Sequence, residues 1–110
     1  GFTGGSRAVI DRGQTGIPLS LVGADAALAI SPDGAAFVAY QDSTFNDLKL
    51  ARRTATNLWT SEVVLAEGAW GFYADLVISA GKLYMSSLRL GFDENAQPRN
   101  EVRVVIRALP

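Results

Sequence analysis

The sequence predicts an all-β chain with no significant helix. Three observations carry that prediction. Apolar residues come in short runs with alternating rather than helical spacing, turns containing Gly, Pro or Asp separate the runs, and the pattern restarts part-way along the chain. The stretch 26–53, AALAISPDGAAFVAYQDSTFNDLKLARR, holds three apolar runs and two turns, and it is the reference for the rest.

Residues 1–6 are glycine-rich and read as a flexible lead-in. Residues 7–11, RAVID, form a short strand candidate stopped by Arg12-Gly13. Gly16, Pro18 and Gly23 make residues 14–25 a long loop. Residues 26–31 then place Leu28 and Ile30 on one face and Ala27 and Ala29 on the other, the composition of a strand buried on both sides. On that reading Leu28→Asp abolishes folding, because it buries an unpaired charge.

Ser31-Pro32-Asp33-Gly34 is the strongest local signal. Asp-Gly between two apolar runs predicts a tight hairpin, with Gly supplying the positive φ. Residues 36–41 follow as a strand carrying Phe37, Val38 and Tyr40, and 42–47 as a polar turn. Residues 48–52 follow with period-2 alternation, Leu48 and Leu50 on one face and Lys49 on the other, so one face is buried and one is wet. After a connection at 54–58, residues 59–65 form a strand led by Trp59 and rich in β-formers.

The pattern then returns. Leu76 falls on Leu28 and Ile78 on Ile30, 48 residues apart, and 83–85 fall on 36–38 at a spacing of 47. Val102-Arg103-Val104 fall on Leu48-Lys49-Leu50, and 7–10 fall on 61–64, both at 54. These spacings predict further strands at 74–79, 82–90 and 101–108, giving eight in all. A four-stranded unit repeating at such an interval points to a β-propeller blade.

Within 26–65 the blade features run in order: SPDG at 31–34, Tyr40 with Asp42, Asp47-Leu48-Lys49 with Ala51-Arg52, then Trp59. This resembles the repeats of bacterial secreted or periplasmic β-propellers over about residues 7–108. The second copy departs from it, with Ser87 at the Tyr position and Val102-Arg103 for Leu-Lys. The resemblance implies about two four-stranded meander blades: an outer strand at 7–11, a full blade at 26–65, and three strands of the next blade at 74–108. It also implies an extracytoplasmic location. Propellers close with about 4–8 blades, so the expected partners are other blades, in a second chain or segment, or further copies of this chain.

Composition narrows the function. Ten basic and eleven acidic residues leave a net charge of −1, and no basic stripe marks a nucleic-acid surface. No apolar run is long enough to span a membrane. With no Cys and no His, thiol chemistry, thiolate metal sites and the usual general base are absent. No base is at hand to activate a Ser, so the expectation is a non-catalytic chain with no cofactor and no metal. Binding or structural scaffolding is the expected role, with a self-assembling lectin-like propeller and a fragment of a propeller enzyme as alternatives.

Two groups are candidate ligand contacts. Trp70, Phe72 and Tyr73 crowd one outer-to-inner loop, where aromatics stack on a sugar or anchor a protein; the competing reading has them fill the seam between blades. Asp93, Glu94 and Asn95 sit in the loop 91–101. The repeat offsets add seven residues in this loop and six in the loop 11–25 relative to that at 66–73, both on one predicted face. Neither this acidic group nor Asp42, Asn46 and Asp47 has the ligand spacing of an EF-hand, so both loops read as solvated turns.

Overall fold

The computed structural model describes residues 8–13, 21–55 and 58–110. The lead-in 1–6, most of the loop 14–25, and residues 56–57 lie outside the described residues. Among the described residues there is no helix, and seven strands form two antiparallel sheets. The first sheet holds β1 (Val22–Ile30), β2 (Ala36–Asp42), β3 (Asp47–Ala55) and β4 (Leu58–Leu65) in that order. The second holds β5 (Ala69–Ser79), β6 (Lys82–Leu90) and β7 (Glu101–Ala108). Each strand pairs with the next in sequence, except that β4 hands over to β5 in the other sheet. Neither sheet closes on itself.

The sequence repeat is also a repeat of register. Leu28 pairs with Val38 and Val38 with Ala51, while Leu76 pairs with Met85 and Met85 with Val105. The offsets between those partners are the 48, 47 and 54 read from the sequence. The irregularities repeat as well. β1 bulges at Gly23 (φ 105°) and Asp25 (φ 50°), and β5 at Gly71 (φ 90°) and Tyr73 (φ 50°), again 48 apart.

Those bulges explain one correction. β1 starts at Val22 and β5 at Ala69, earlier than the expected starts at 26 and 74. A bulge inserts residues of positive φ and breaks the two-residue alternation, so a paired segment reads as loop. A second correction concerns 7–11: residues 8–13 form no strand. They lie over the first sheet instead, where the Asp11 carboxylate accepts from the Tyr40 hydroxyl at 2.7 Å and the Lys49 ammonium at 2.6 Å. The SPDG hairpin forms with the positive φ expected at Gly34, but its loop spans 31–35. Ser31 holds it, accepting from the Gly34 N–H at 2.9 Å and, through its hydroxyl, from the Ala35 N–H at 3.0 Å.

The sheets pack face to face, with β5 crossing β1, β2 and β3. Phe37, Ala39, Leu48 and Leu50 from the first sheet meet Trp70, Leu76, Leu83 and Met85 from the second. Ala27 and Ala29 join this core, which corrects the expectation for β1. Its alanine face is the covered one, whereas Leu28 and Ile30 are 63% and 62% exposed on the far side. The alternation read from the sequence is right, and burial on both sides is not what this chain provides.

Candidate ligand cleft at the sheet junction

Trp70 lies near the N-terminal end of β5, where the chain has just crossed from β4. The crossing is tight: residues 66–68 suffice, and a side chain at Gly68 (φ 118°) would collide with the Arg89 guanidinium. The strand then runs Trp70 into the space between the sheets, where it is 1% exposed. Its backbone N–H donates to the Asn46 carbonyl at 2.8 Å, its carbonyl accepts from the Gln41 side-chain amide at 2.8 Å, and its indole N–H donates to the Glu67 carbonyl at 3.0 Å. Three bonds and full burial make this residue a pin for the junction.

On the solvent side of that pin is a cleft of about 410 Å³ lined by Val64, Leu65, Glu67, Trp70, Arg89 and Arg103. The Arg103 guanidinium lies 4.6 Å from the Trp70 ring centroid and that of Arg89 lies 5.9 Å away, both within cation–π range. Arg103 also donates to Glu101 at 2.8 Å. Arg89 is half-buried, and its Nε has no hydrogen-bond partner. Arg89 Nε is buried against Gly68, but two guanidinium cations on one cleft suit an anionic oxygen ligand such as a carboxylate or an acidic sugar.

The structure thus separates the predicted aromatic cluster. Trp70, Phe72 and Tyr73 belong to β5 and not to a loop. Trp70 is core, Phe72 is half-buried, and Tyr73 is 78% exposed with its backbone N–H donating to Asp25 at 3.0 Å. Trp70 is thus buried between the two sheets, and the three residues do not form one stacking platform. The alternating bulge sends them in different directions.

Asp93, Glu94 and Asn95 cap the excursion between β6 and β7. The Asp93 carboxylate accepts from the N–H groups of Asn95 and Gln97, each at 2.9 Å, so it shapes the turn on which it sits. Asp42 does the same in the other repeat, accepting from the N–H groups of Thr44 and Phe45 at 3.0 and 3.3 Å. Among the described residues no group of three acidic side chains converges on a metal-sized point.

Three carboxyls are shifted by their surroundings, and hydrogen bonds from the Ser31 hydroxyl and the Ala35 N–H lower that of Asp33. Burial raises the Asp47 carboxyl, and the neighbouring Asp42 charge adds to the rise while Lys49 opposes it. Burial alone also raises Asp11, but hydrogen bonds from Lys49, the Gly13 N–H and Tyr40 outweigh it and hold this carboxyl below the usual range. Burial pushes the Tyr40 hydroxyl well above its ordinary value, with the charges of Asp11 and Asp42 adding to the rise.

Arg89, Arg103 and the cleft they line were not singled out in the sequence. The one available signal was the pair of arginines flanking an inserted loop on the face that also carries Trp70. Comparison with known protein families, characterised proteins and solved structures finds no match for this chain.

Proposed function

We propose that the chain is a non-catalytic segment of an extracytoplasmic β-propeller, two successive blades that act as a binding or structural scaffold and are completed by blades from elsewhere. The observation that carries this reading is the repeat of register and bulges between the two sheets. A two-sheet sandwich does not require its sheets to be copies, and sandwiches commonly pass strands between sheets in Greek keys. Here the order is a plain meander, and the outer strand β4 leads straight to β5, which packs back across the preceding sheet. That is how one blade follows another.

Electron microscopy of the assembled protein tests the reading. A closed disc of radial sheets supports it, and a solid two-sheet particle or an open fibre overturns it. The cleft beside Trp70 favours a lectin-like second reading, in which Arg89 and Arg103 hold an acidic glycan. A glycan array is its test. Binding that is lost in Arg89→Ala while the fold is kept supports that role, and no binding to any acidic glycan removes it.

A further inference from the structure

We infer that the two outward apolar faces of this chain dock on one another between copies, head to tail, repeating between molecules the interface that joins the two sheets within one. The inference rests on the reading of the sheets as successive blades. It commits that reading to a second copy of the chain as the partner.

The repeat offsets carry the argument. On the face of the first sheet that meets the second, Phe37, Leu48 and Leu50 have as counterparts Tyr84, Val102 and Val104, which point outward from the second sheet. On the face of the second sheet that meets the first, Leu76, Ile78 and Met85 have as counterparts Leu28, Ile30 and Val38, which point outward from the first. Within the chain these two kinds of face bury each other. Their copies stand open: Leu28 is 63% exposed and Val102 71%. A chain that exposes both halves of an interface it already forms presents a heterologous contact, which builds a closed ring where the rotation closes and an open fibre where it does not.

Two details fit the same geometry. A side chain at Gly71 would strike Gln41 at 2.6 Å, whereas at Gly23, its counterpart, nothing lies within 4 Å. The counterpart of Gln41 is Leu88, on the outward face of the second sheet, so a docked copy brings Leu88 into that space. Residues 8–11 supply the second detail. Ile10, Asp11 and Val22 line a hollow of about 160 Å³ on the first sheet, and their counterparts Val64, Leu65 and Trp70 line the cleft at the junction. The segment 8–11 therefore lies against the first sheet as the end of β4 lies against the second. A docked copy places its β7 edge beside that segment, as β3 lies beside β4, so that 8–11 becomes the fourth strand of the copy's three-stranded sheet.

Light scattering after gel filtration tests this on the full chain, over a roughly hundredfold range of concentration. The expected wild-type result is a discrete ring of about two to four copies, matching the usual number of blades. Leu28→Asp and Val104→Asp each spoil one face, so each alone is monomeric, and an equal mixture forms a heterodimer through the two sound faces. Monomeric wild type at every concentration overturns the second copy as partner and leaves another chain's sheets as the occupant, with the blade reading intact. Association that survives in both variants overturns the assigned faces and the blade reading with them. A chain carrying Val22→Cys and Leu88→Cys, the counterparts of the hydrogen-bonded Trp70 and Gln41, gives an independent readout. The natural sequence has no cysteine, so oxidation cross-links only these two sites, between copies. Absence of that cross-link in an associated wild-type-like sample overturns the docking.

Discussion

Leu76 and Leu28 occupy the same position of the repeat, yet one is 5% exposed and the other 63%. The difference decides what a charge does at each. Leu76→Asp places a carboxylate in the contact between sheets with no partner, and should cost upwards of about 3 kcal/mol, enough to unfold a chain of ordinary stability. Leu28→Asp meets water and should leave the dilute chain folded, contrary to what the sequence pattern alone predicts. Denaturant melts monitored by circular dichroism separate the two. Equal losses at both positions would mean that the outward face is covered within the single chain.

At the scale of the element, the turn between β2 and β3 carries a built-in cost. Asp42 and Asp47 face each other as register partners where the strands part, and Asp42 is committed to the turn's own N–H groups. Burial and that neighbouring charge raise the Asp47 carboxyl above its unfolded value, so its ionised form is disfavoured by folding. The sign follows: the penalty is fully present above the raised pKa and is relieved as pH falls through it. Asp47→Asn should therefore raise the melting temperature at neutral pH, by an amount worth less than about 1 kcal/mol given partial solvent screening, and should give no advantage near pH 3. An Asn variant that melts lower at neutral pH would mean that the attraction to Lys49 outweighs both burial and Asp42. The 8–13 segment has the opposite balance, since Lys49, Gly13 and Tyr40 stabilise ionised Asp11.

Across the whole molecule, which extends 53 × 38 × 30 Å, Trp70 is the largest side chain buried where the two sheets meet. It belongs to the core that both sheets share, and it makes three hydrogen bonds around the crossing, donating to the carbonyls of Asn46 and Glu67 and accepting from the Gln41 side-chain amide. Trp70→Ala should cost about 3–5 kcal/mol and broaden the melt as the sheets lose their common core. Tyr73→Ala, three residues on and exposed, should change stability by no more than about 0.5 kcal/mol. Differential scanning calorimetry reads both the midpoint and the cooperativity. A sharp, unshifted transition in Trp70→Ala would show that the sheets hold together without it.

Much of the architecture was legible in the residues themselves. Alternation at 48–52, the Asp-Gly hairpin and the offsets of 48, 47 and 54 determined an all-β chain, its strand order and the register of one repeat on the other. These are local or periodic properties, and side-chain period and turn chemistry are written in neighbouring residues. The site was less legible. A bulge hides a strand from period-2 reading, so Trp70, Phe72 and Tyr73 looked like one loop cluster although β5 turns them apart. Only the packing of the two sheets decided which face of β1 is covered, since Leu28 and Leu76 are indistinguishable in pattern and differ in what lies across from them. The same packing brought Arg89 and Arg103, 14 positions apart in sequence, over one indole ring. Burial is a property of the neighbour as much as of the residue, and the neighbour comes from the tertiary structure.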